Sequence, residues 1–394
     1  MERVYKVLKP SYYDEFKCVG SKCENTCCKG WNITIDELSY KRYKSVRGKY
    51  GERLKNSITL NNRKNKSNTW YAEFKLNEDG RCMLLTEDGL CSVYSELGEE
   101  NMCLTCKIYP RLIKKYNDFC EKNLIMSCPE AARFLCEHTE PLDFVFREEQ
   151  LNDLELLIKN NYIDKKLYDL FFEVRGFYID VAQYRTISLW KRLYFILRAQ
   201  NEIATPLKQG RRKPIEGIIQ CIKKEMNSEE IINELNKIEP ILEVKIRVLS
   251  LYLSNDKSET ELQECCEIFK DFIKGNEMQT VVKQWKDIEK EYDEKYHIYD
   301  YIYENYIVYY IYEYYFKSDN NNIIRELTIS YMLLKAMNLL KYIKYGEIDI
   351  NKIKENIYIL SRIVDNSKAY LDATIKKLDE IGLWTMEYLL ILIR

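Results

Sequence analysis

Residues 18–31 read C-V-G-S-K-C-E-N-T-C-C-K-G-W. Four thiols, Cys18, Cys23, Cys27 and Cys28, fall within eleven residues, and Gly30 and Trp31 follow at once. Thiolate is a soft ligand, and zinc or iron–sulfur iron takes four of them in tetrahedral geometry. The spacing brings several sulfurs to the end of one loop, as a metal site requires. Gly30 lets the backbone turn close to a bound group, and Trp31 can shield it from water. Both are candidate cofactor-binding residues.

Working outward, five further cysteines stand at related spacings: Cys82, Cys91, the C-x-x-C pair Cys103 and Cys106, and Cys128. No βαβ pattern surrounds Cys103 and Cys106, so a thioredoxin-like redox pair is disfavoured. Gly30 occupies the place where a third cysteine of a C-x-x-x-C-x-x-C motif begun by Cys23 and Cys27 would fall, so the ordinary radical arrangement is not evident. Adjacent side chains of an extended chain point to opposite faces. Cys27 and Cys28 can therefore serve one ion only where the chain bends. Otherwise one ligates while the other packs or reaches a second site. Nine motif-like thiols against four coordination positions leave two sites, or one site with spare cysteines. The segment from Cys82 to Cys128 is expected to close what Cys18 to Cys28 begin. Free cysteine is also a small buried apolar residue. That bland reading competes for Cys82, Cys91 and Cys128 and is preferred for Cys120, Cys136, Cys221, Cys265 and Cys266.

The chain has 394 residues, and Lys plus Arg (61) nearly balances Asp plus Glu (62). Such a balance provides no net field for nucleic acid or an anionic membrane. Only 13 glycines and 7 prolines interrupt the sequence, which favours long helices over many short strands. The opening M-E-R-V-Y-K-V-L-K-P has no apolar signal region. No stretch of about 18 apolar residues is present, so no transmembrane segment is expected. Fourteen cysteines in such a chain point to reduced thiols, and so to metal binding or redox chemistry rather than structural disulfides.

The expected fold is mainly α. A cysteine-rich α+β metal-binding domain with short strands covers residues 1–140, and a larger all-α helical domain covers 141–394. Eleven of the cysteines lie at or before Cys136, which places the boundary near Pro141. Thr34 and Glu37 suggest a capping box for a helix running to about Leu54. Trp70 to Leu76 alternates as a strand. Leu112–Tyr116 and Phe119–Met126 suggest a hairpin about Asn117-Asp118, and Pro129 suits the first turn of a helix reaching Glu137. From Phe146 onward the pattern reads as helical, with Leu151, Leu154 and Ile158 on one face, and Leu327, Tyr331, Leu334 and Met337 on another. Other expected helices include 183–200, 278–316 and 367–380.

Other chemistry is sparse. The only histidines, His138 and His297, read as structural, which disfavours a histidine-based triad. No dinucleotide or P-loop signature follows a strand. The tyrosine stripe from Tyr292 to Tyr315 could line a pocket for a lysine cation, but core packing is the simpler reading.

Several blocks resemble the flagellin lysine-N-methylase family, whose cysteine region belongs to a wider group of zinc- or iron-chelating domains. They are Y-x-x-x-F-x-C at Tyr12 to Cys18, C-E-N-T-C-C-K-G-W at Cys23 to Trp31, and R-C-M-L-L-T-E-D-G-L-C-S-V-Y at Arg81 to Tyr94. The series continues with L-G-E-E-N-M-C-L-T-C-K-I-Y-P-R at Leu97 to Arg111 and S-C-P-E-A-A-R at Ser127 to Arg133. The likeness covers about the first 135 residues, and the helical part resembles the family only loosely. It implies methyl transfer from S-adenosylmethionine to flagellin lysines, with a cysteine-bound 4Fe–4S cluster. A non-catalytic protein-interaction module stabilised by zinc or iron is the alternative; an iron–sulfur redox protein is a third.

Overall fold

The computed structural model describes residues 4–61, 67–116, 119–151, 165–253, 262–316, 322–366, 375–382 and 384–394. The expected turn at Asn117-Asp118, Leu154 and Ile158, and much of the helix over 367–380 lie outside them. Two compact units emerge: Met1–Ala132 with Asp143–Tyr162, and Arg133–Leu142 with Ile163–Arg394. The fold is mainly α, and among the described residues the short strands lie in the first unit.

The first unit holds two small sheets. In one the order is β5-β6-β1-β7, from Arg111–Tyr116, Phe119–Leu124, Val4–Pro10 and Phe144–Gln150. β5 and β6 form the expected antiparallel pair. β1 runs parallel to β6 and antiparallel to β7. β7 corrects the helical reading of Phe146 onward: this segment completes a sheet begun at the chain's start. Lys9 of β1 is nearly buried and bridges Asp14 at 2.6 Å and Glu149 at 2.5 Å. Lys122 of β6 reaches Glu149 at 2.9 Å. Burial alone would raise the Glu149 carboxyl, but the two lysines hold it below its ordinary value.

The second sheet, β2-β4-β3, joins Thr34–Ile35, Ala72–Phe74 and Ile58–Leu60. Beside it lie two helices, α1 (Glu37–Ser45) and α2 (Gly48–Asn56). One continuous helix to Leu54 was expected. The chain instead breaks at Val46-Arg47, and Gly51 permits the turn: a Cβ there would meet the Val46 carbonyl oxygen at 2.2 Å. Thr34 sits in β2 rather than capping α1, and its hydroxyl bonds Thr105 at 2.7 Å.

Asp36 is the true cap. Its Oδ1 accepts from Ser39 N at 2.9 Å, in the first turn of α1. Its Oδ2 accepts at 2.9 Å from Leu104 N, the first residue of the helix Leu104–Ile108. One carboxylate therefore serves two helix N-termini and fixes the segment that carries Cys103 and Cys106. Burial would raise its pKa, yet the Leu104 and Ser39 hydrogen bonds hold it below the usual carboxylate range. Asp36→Ala is expected to cost about 2 kcal/mol, for a lost cap and a stranded buried N–H. Because the folded-state pKa is depressed, the wild-type advantage is present above the unfolded carboxyl value and disappears as pH falls through the depressed one. Urea unfolding of both proteins at neutral and strongly acidic pH checks this; a difference unchanged by pH would contradict it.

The second unit is helical. Two of its helices, Asp300–Tyr314 and Ile323–Tyr345, are buried almost all round, as expected of the centre of a large bundle. Ile323–Tyr345 packs on Asp300–Tyr314, Ile350–Asn366, Gln263–Ile273, Met278–Tyr296, Leu189–Lys208 and Met386–Ile393. Residues 278–316 were expected as one helix, but the run is broken by a 3-10 turn at His297–Tyr299. A buried polar relay crosses the centre. Tyr292 and Tyr303 share a hydroxyl hydrogen bond of 2.9 Å, Asn338 Nδ2 donates to Tyr303 at 2.8 Å, and Asn356 Nδ2 donates to Asn338 at 2.7 Å. The tyrosine stripe is therefore core: Tyr306, Tyr309, Tyr310, Tyr312 and Tyr315 are all buried. A third feature is ionic. Glu304, 1% exposed, accepts from Arg192 at 2.5 Å and from Arg185 Nε at 3.1 Å. Arg192 also donates to the Ala182 and Ile187 carbonyls, at 2.8 Å each. Among the described residues no helix is long and apolar enough to cross a membrane.

Candidate metal centre

The opening loop is pinned to the second cysteine segment through the main chain. Cys82 N donates to Cys28 O at 2.7 Å, Gly30 N donates to Gly80 O at 3.0 Å, and Lys29 pairs with Arg81 in an antiparallel bridge. Gly30 has φ +83, a left-handed conformation that suits glycine. Trp31 Nε1 donates to Cys27 O at 2.7 Å, and its ring lies 5.6 Å from that of Tyr109. A turn at Thr86 to Leu90 then returns the chain, so that Cys91 pairs with Leu85.

The nine candidate thiols span the range from core to surface. Cys82, Cys103 and Cys128 are buried, Cys23, Cys28, Cys91 and Cys106 are partly buried, and Cys18 and Cys27 are exposed. Cys82 and Cys103 belong to an apolar cluster with Ile33, Ile35, Tyr43 and Leu84, and Cys28, Cys91, Cys106 and Trp31 pack against it. Tyr43 donates to Asn101 O at 2.9 Å, which gives it a structural role beside the thiols.

Two thiol pairs are electrostatically coupled, Cys27 with Cys28 and Cys103 with Cys106. The chain bends at Cys27-Cys28, so the adjacent sulfurs share a hydrogen bond that lowers the Cys28 pKa and raises that of Cys27. Thr26 also bonds Cys28 and favours its thiolate. The Cys106 pKa is raised, chiefly by its hydrogen bond to Cys103 and by burial. Burial pushes Cys82 and Cys128 up to about 12. Backbone N–H groups oppose that rise: Leu84 bonds Cys82, and Ala131 and Glu130 bond Cys128 at the start of the helix Pro129–Glu137. Tyr94 and Val93 do the same for Cys91. Donors aimed at sulfur stabilise thiolate, the form that binds metal.

Among the described residues, no three Cys, His, Asp or Glu side chains lie close enough to hold a single metal ion as they stand. The thiols approach in pairs and looser groups. Their donor set is soft and sulfur-only, which suits zinc or iron–sulfur iron. Asp36 and Thr26, which position and polarise these thiols, were not singled out from sequence. Asp36 was findable as an N-cap residue just before Glu37; Thr26 carried no signal of its own.

The remaining cysteines divide. Cys120, Cys136, Cys265 and Cys266 are buried, as the bland reading expects. Cys221 departs from it: the residue is exposed and lies 3.4 Å from Glu225. His138 offers its carbonyl to Asn305 at 2.7 Å. His297 is exposed, and its Nδ1 lies 2.9 Å from Glu294 O. It borders a cavity of about 650 Å³ in the helical unit, lined also by Lys286, Glu289, Asp293, Lys335 and Arg394.

A family model described as the FliB lysine N-methylase C-terminal domain matches residues 175–392. The match lies in the helices, where sequence inspection found only a loose likeness. The flagellar biosynthetic protein FliU of Salmonella muenchen is 34% identical over 125 residues, covering 32% of this chain and 73% of that protein. The lysine-N-methylase of Salmonella typhimurium strain LT2 is also 34% identical over 125 residues, covering 32% of this chain but 31% of that protein. The lysine-N-methylase of Salmonella choleraesuis strain SC-B67 matches over the same shares. Less than a third of each lysine-N-methylase is thus spanned. No solved structure matches.

Proposed function

The chain belongs to the FliB lysine N-methylase family, and on that premise we propose that it is a protein-lysine N-methyltransferase. The donor in this reading is S-adenosylmethionine, the acceptor is flagellin, and the cytoplasm is where the two meet. The neutral ε-amine attacks the methyl carbon, the carbon–sulfur bond of the sulfonium breaks, and the amine releases a proton. Such a displacement gains most from alignment of amine and methyl group. The observation that carries the reading is the convergence of Cys28, Cys82, Cys91, Cys103 and Cys106 on one apolar cluster, within a chain of this family.

A 4Fe–4S cluster fits the donor chemistry, because only thiols are offered and several accept backbone N–H bonds. Four of the nine motif cysteines would hold it. When bound, it would supply an iron site able to take the donor's amino and carboxylate groups. The protein's own part is to exclude water with Trp31 and Tyr109 and to hold the loop through the Gly30–Gly80 bridge. Asp36 keeps Cys103 and Cys106 in place.

The test is transfer from a labelled donor to unmodified flagellin by anaerobically purified protein. Label on flagellin lysines is the expected result. Protein with its centre intact that transfers nothing under reducing conditions would refute catalysis.

A further inference from the structure

The cavity of about 650 Å³ in the helical unit is lined by the C-terminal half of the helix Met278–Tyr296. Two of its lining groups, Glu289 and Lys335, are mostly buried, with side chains 12% and 17% exposed. Glu289 Oε1 lies 2.6 Å from Lys245 Nζ and 3.7 Å from Lys335 Nζ, so this carboxylate is answered twice within the fold. Arg394 is stacked on Trp190, 4.5 Å from the ring. What remains for a ligand is ordered along the helix. Lys286 and Lys290, one turn apart, stand at one end, and Asp293 and Glu294 follow at the other. Lys290 comes only to 3.8 Å of Glu294, and both side chains are largely exposed, a pairing worth little. Asp293 is half exposed and meets Lys335 at 2.9 Å through Oδ2. The helix dipole adds partial negative charge at the end where Asp293 and Glu294 lie. The exposed His297 stands beside them, its Nδ1 2.9 Å from Glu294 O.

We propose that this groove docks an extended, mixed-charge segment of the acceptor protein, with an acidic side chain against Lys286 and Lys290 and a basic one against Asp293 and Glu294. The identity of the occupant rests on the protein-lysine methyltransferase reading. The spacing sets the motif. Lys286 and Asp293 are seven residues apart, about 10 Å of helix rise, and an extended chain covers about 10 Å in three residues. The occupant therefore carries opposite charges at positions three apart. A segment of one sign would meet repulsion at one end of the groove, and a small anion would leave the carboxylate end unmatched. The basic side chain held here keeps its proton, because neighbouring carboxylates stabilise the charged form. The amine that attacks a methyl group must be neutral. The docked residue is thus not the one that is methylated, and the groove reads an address elsewhere on the same partner.

The reduced full-length chain is titrated with four fluorescein-labelled peptides, otherwise neutral, in which two charged residues flank a pair of serines: Glu then Lys, Lys then Glu, two Glu, or two Lys. One of the mixed peptides is expected to bind about tenfold more tightly than either single-sign peptide, and its binding should weaken as salt rises. Lys286→Glu and Lys290→Glu together, both at exposed positions, should make the two-Lys peptide the preferred one. A wild-type chain that binds all four alike, or none, would overturn the groove, and so would a folded double variant that keeps the wild-type preference. Because the preference is read first on the wild-type chain, a variant that fails to fold does not decide the matter. The outcome is separable from catalysis. Protein that prefers a mixed peptide yet methylates nothing keeps the groove as a peptide site and loses the enzymatic reading; protein that methylates without the preference does the reverse.

Discussion

Glu304→Leu is expected to destabilise the helical unit by about 3–5 kcal/mol, the range for breaking a buried ion pair. The reason is what remains. Arg192 is nearly buried, so its guanidinium charge lies where water solvates it poorly. Without Glu304 its remaining hydrogen bonds among the described residues are to the Ala182 and Ile187 carbonyls. Arg185 is better placed, being partly exposed and bonded to Thr139 O at 2.9 Å. Arg185→Gln should therefore cost far less. Replacing Glu304 and Arg192 together by leucine should recover much of the loss, because an apolar pair of similar volume removes the stranded charge. Urea unfolding followed by helical circular dichroism measures all three. A Glu304→Leu cost below about 1 kcal/mol would mean that the pair is solvated in a way its burial does not suggest.

The second large effect concerns metal. On the proposed reading, Cys103→Ser loses the metal centre and loosens the cysteine-rich unit, since metal binding is linked to folding. Structural zinc contributes about 10–16 kcal/mol of apparent binding free energy, so even a fraction of it exceeds a typical domain's margin of stability. Cys103 is fully buried, and its thiol is directed at Thr34 O, 3.5 Å away. Cys265→Ser, in the helical unit, should leave metal content unchanged. Metal analysis with thermal unfolding of both variants checks this. Equal metal retention would show that burial and grouping rank the cysteines wrongly.

Legibility followed the range of the signal. The β5–β6 hairpin and the helix from Pro129 could be read because their determinants lie within a few residues. β7 could not, since Phe144–Gln150 becomes a strand through pairing with Val4–Pro10, far off in sequence. The S/T-x-x-E pattern drew attention to Thr34 although Asp36, two residues later, makes the cap. Spacing marked nine cysteines as motif-like. It could not sort them, because the side on which Cys27 or Cys28 lies depends on a local bend and on residues from 82 to 128.

The tyrosine-rich core has an optical consequence. Burial pushes the phenols of Tyr178, Tyr306, Tyr310, Tyr314 and Tyr315 up. The unfolded chain would lose those protons near pH 10 while the folded chain keeps them, so alkali favours unfolding. Tyrosinate absorbs in the near ultraviolet, so the interior carries its own indicator. Exposed phenols change colour gradually as alkali is added, and the buried ones do so together, when the helices part.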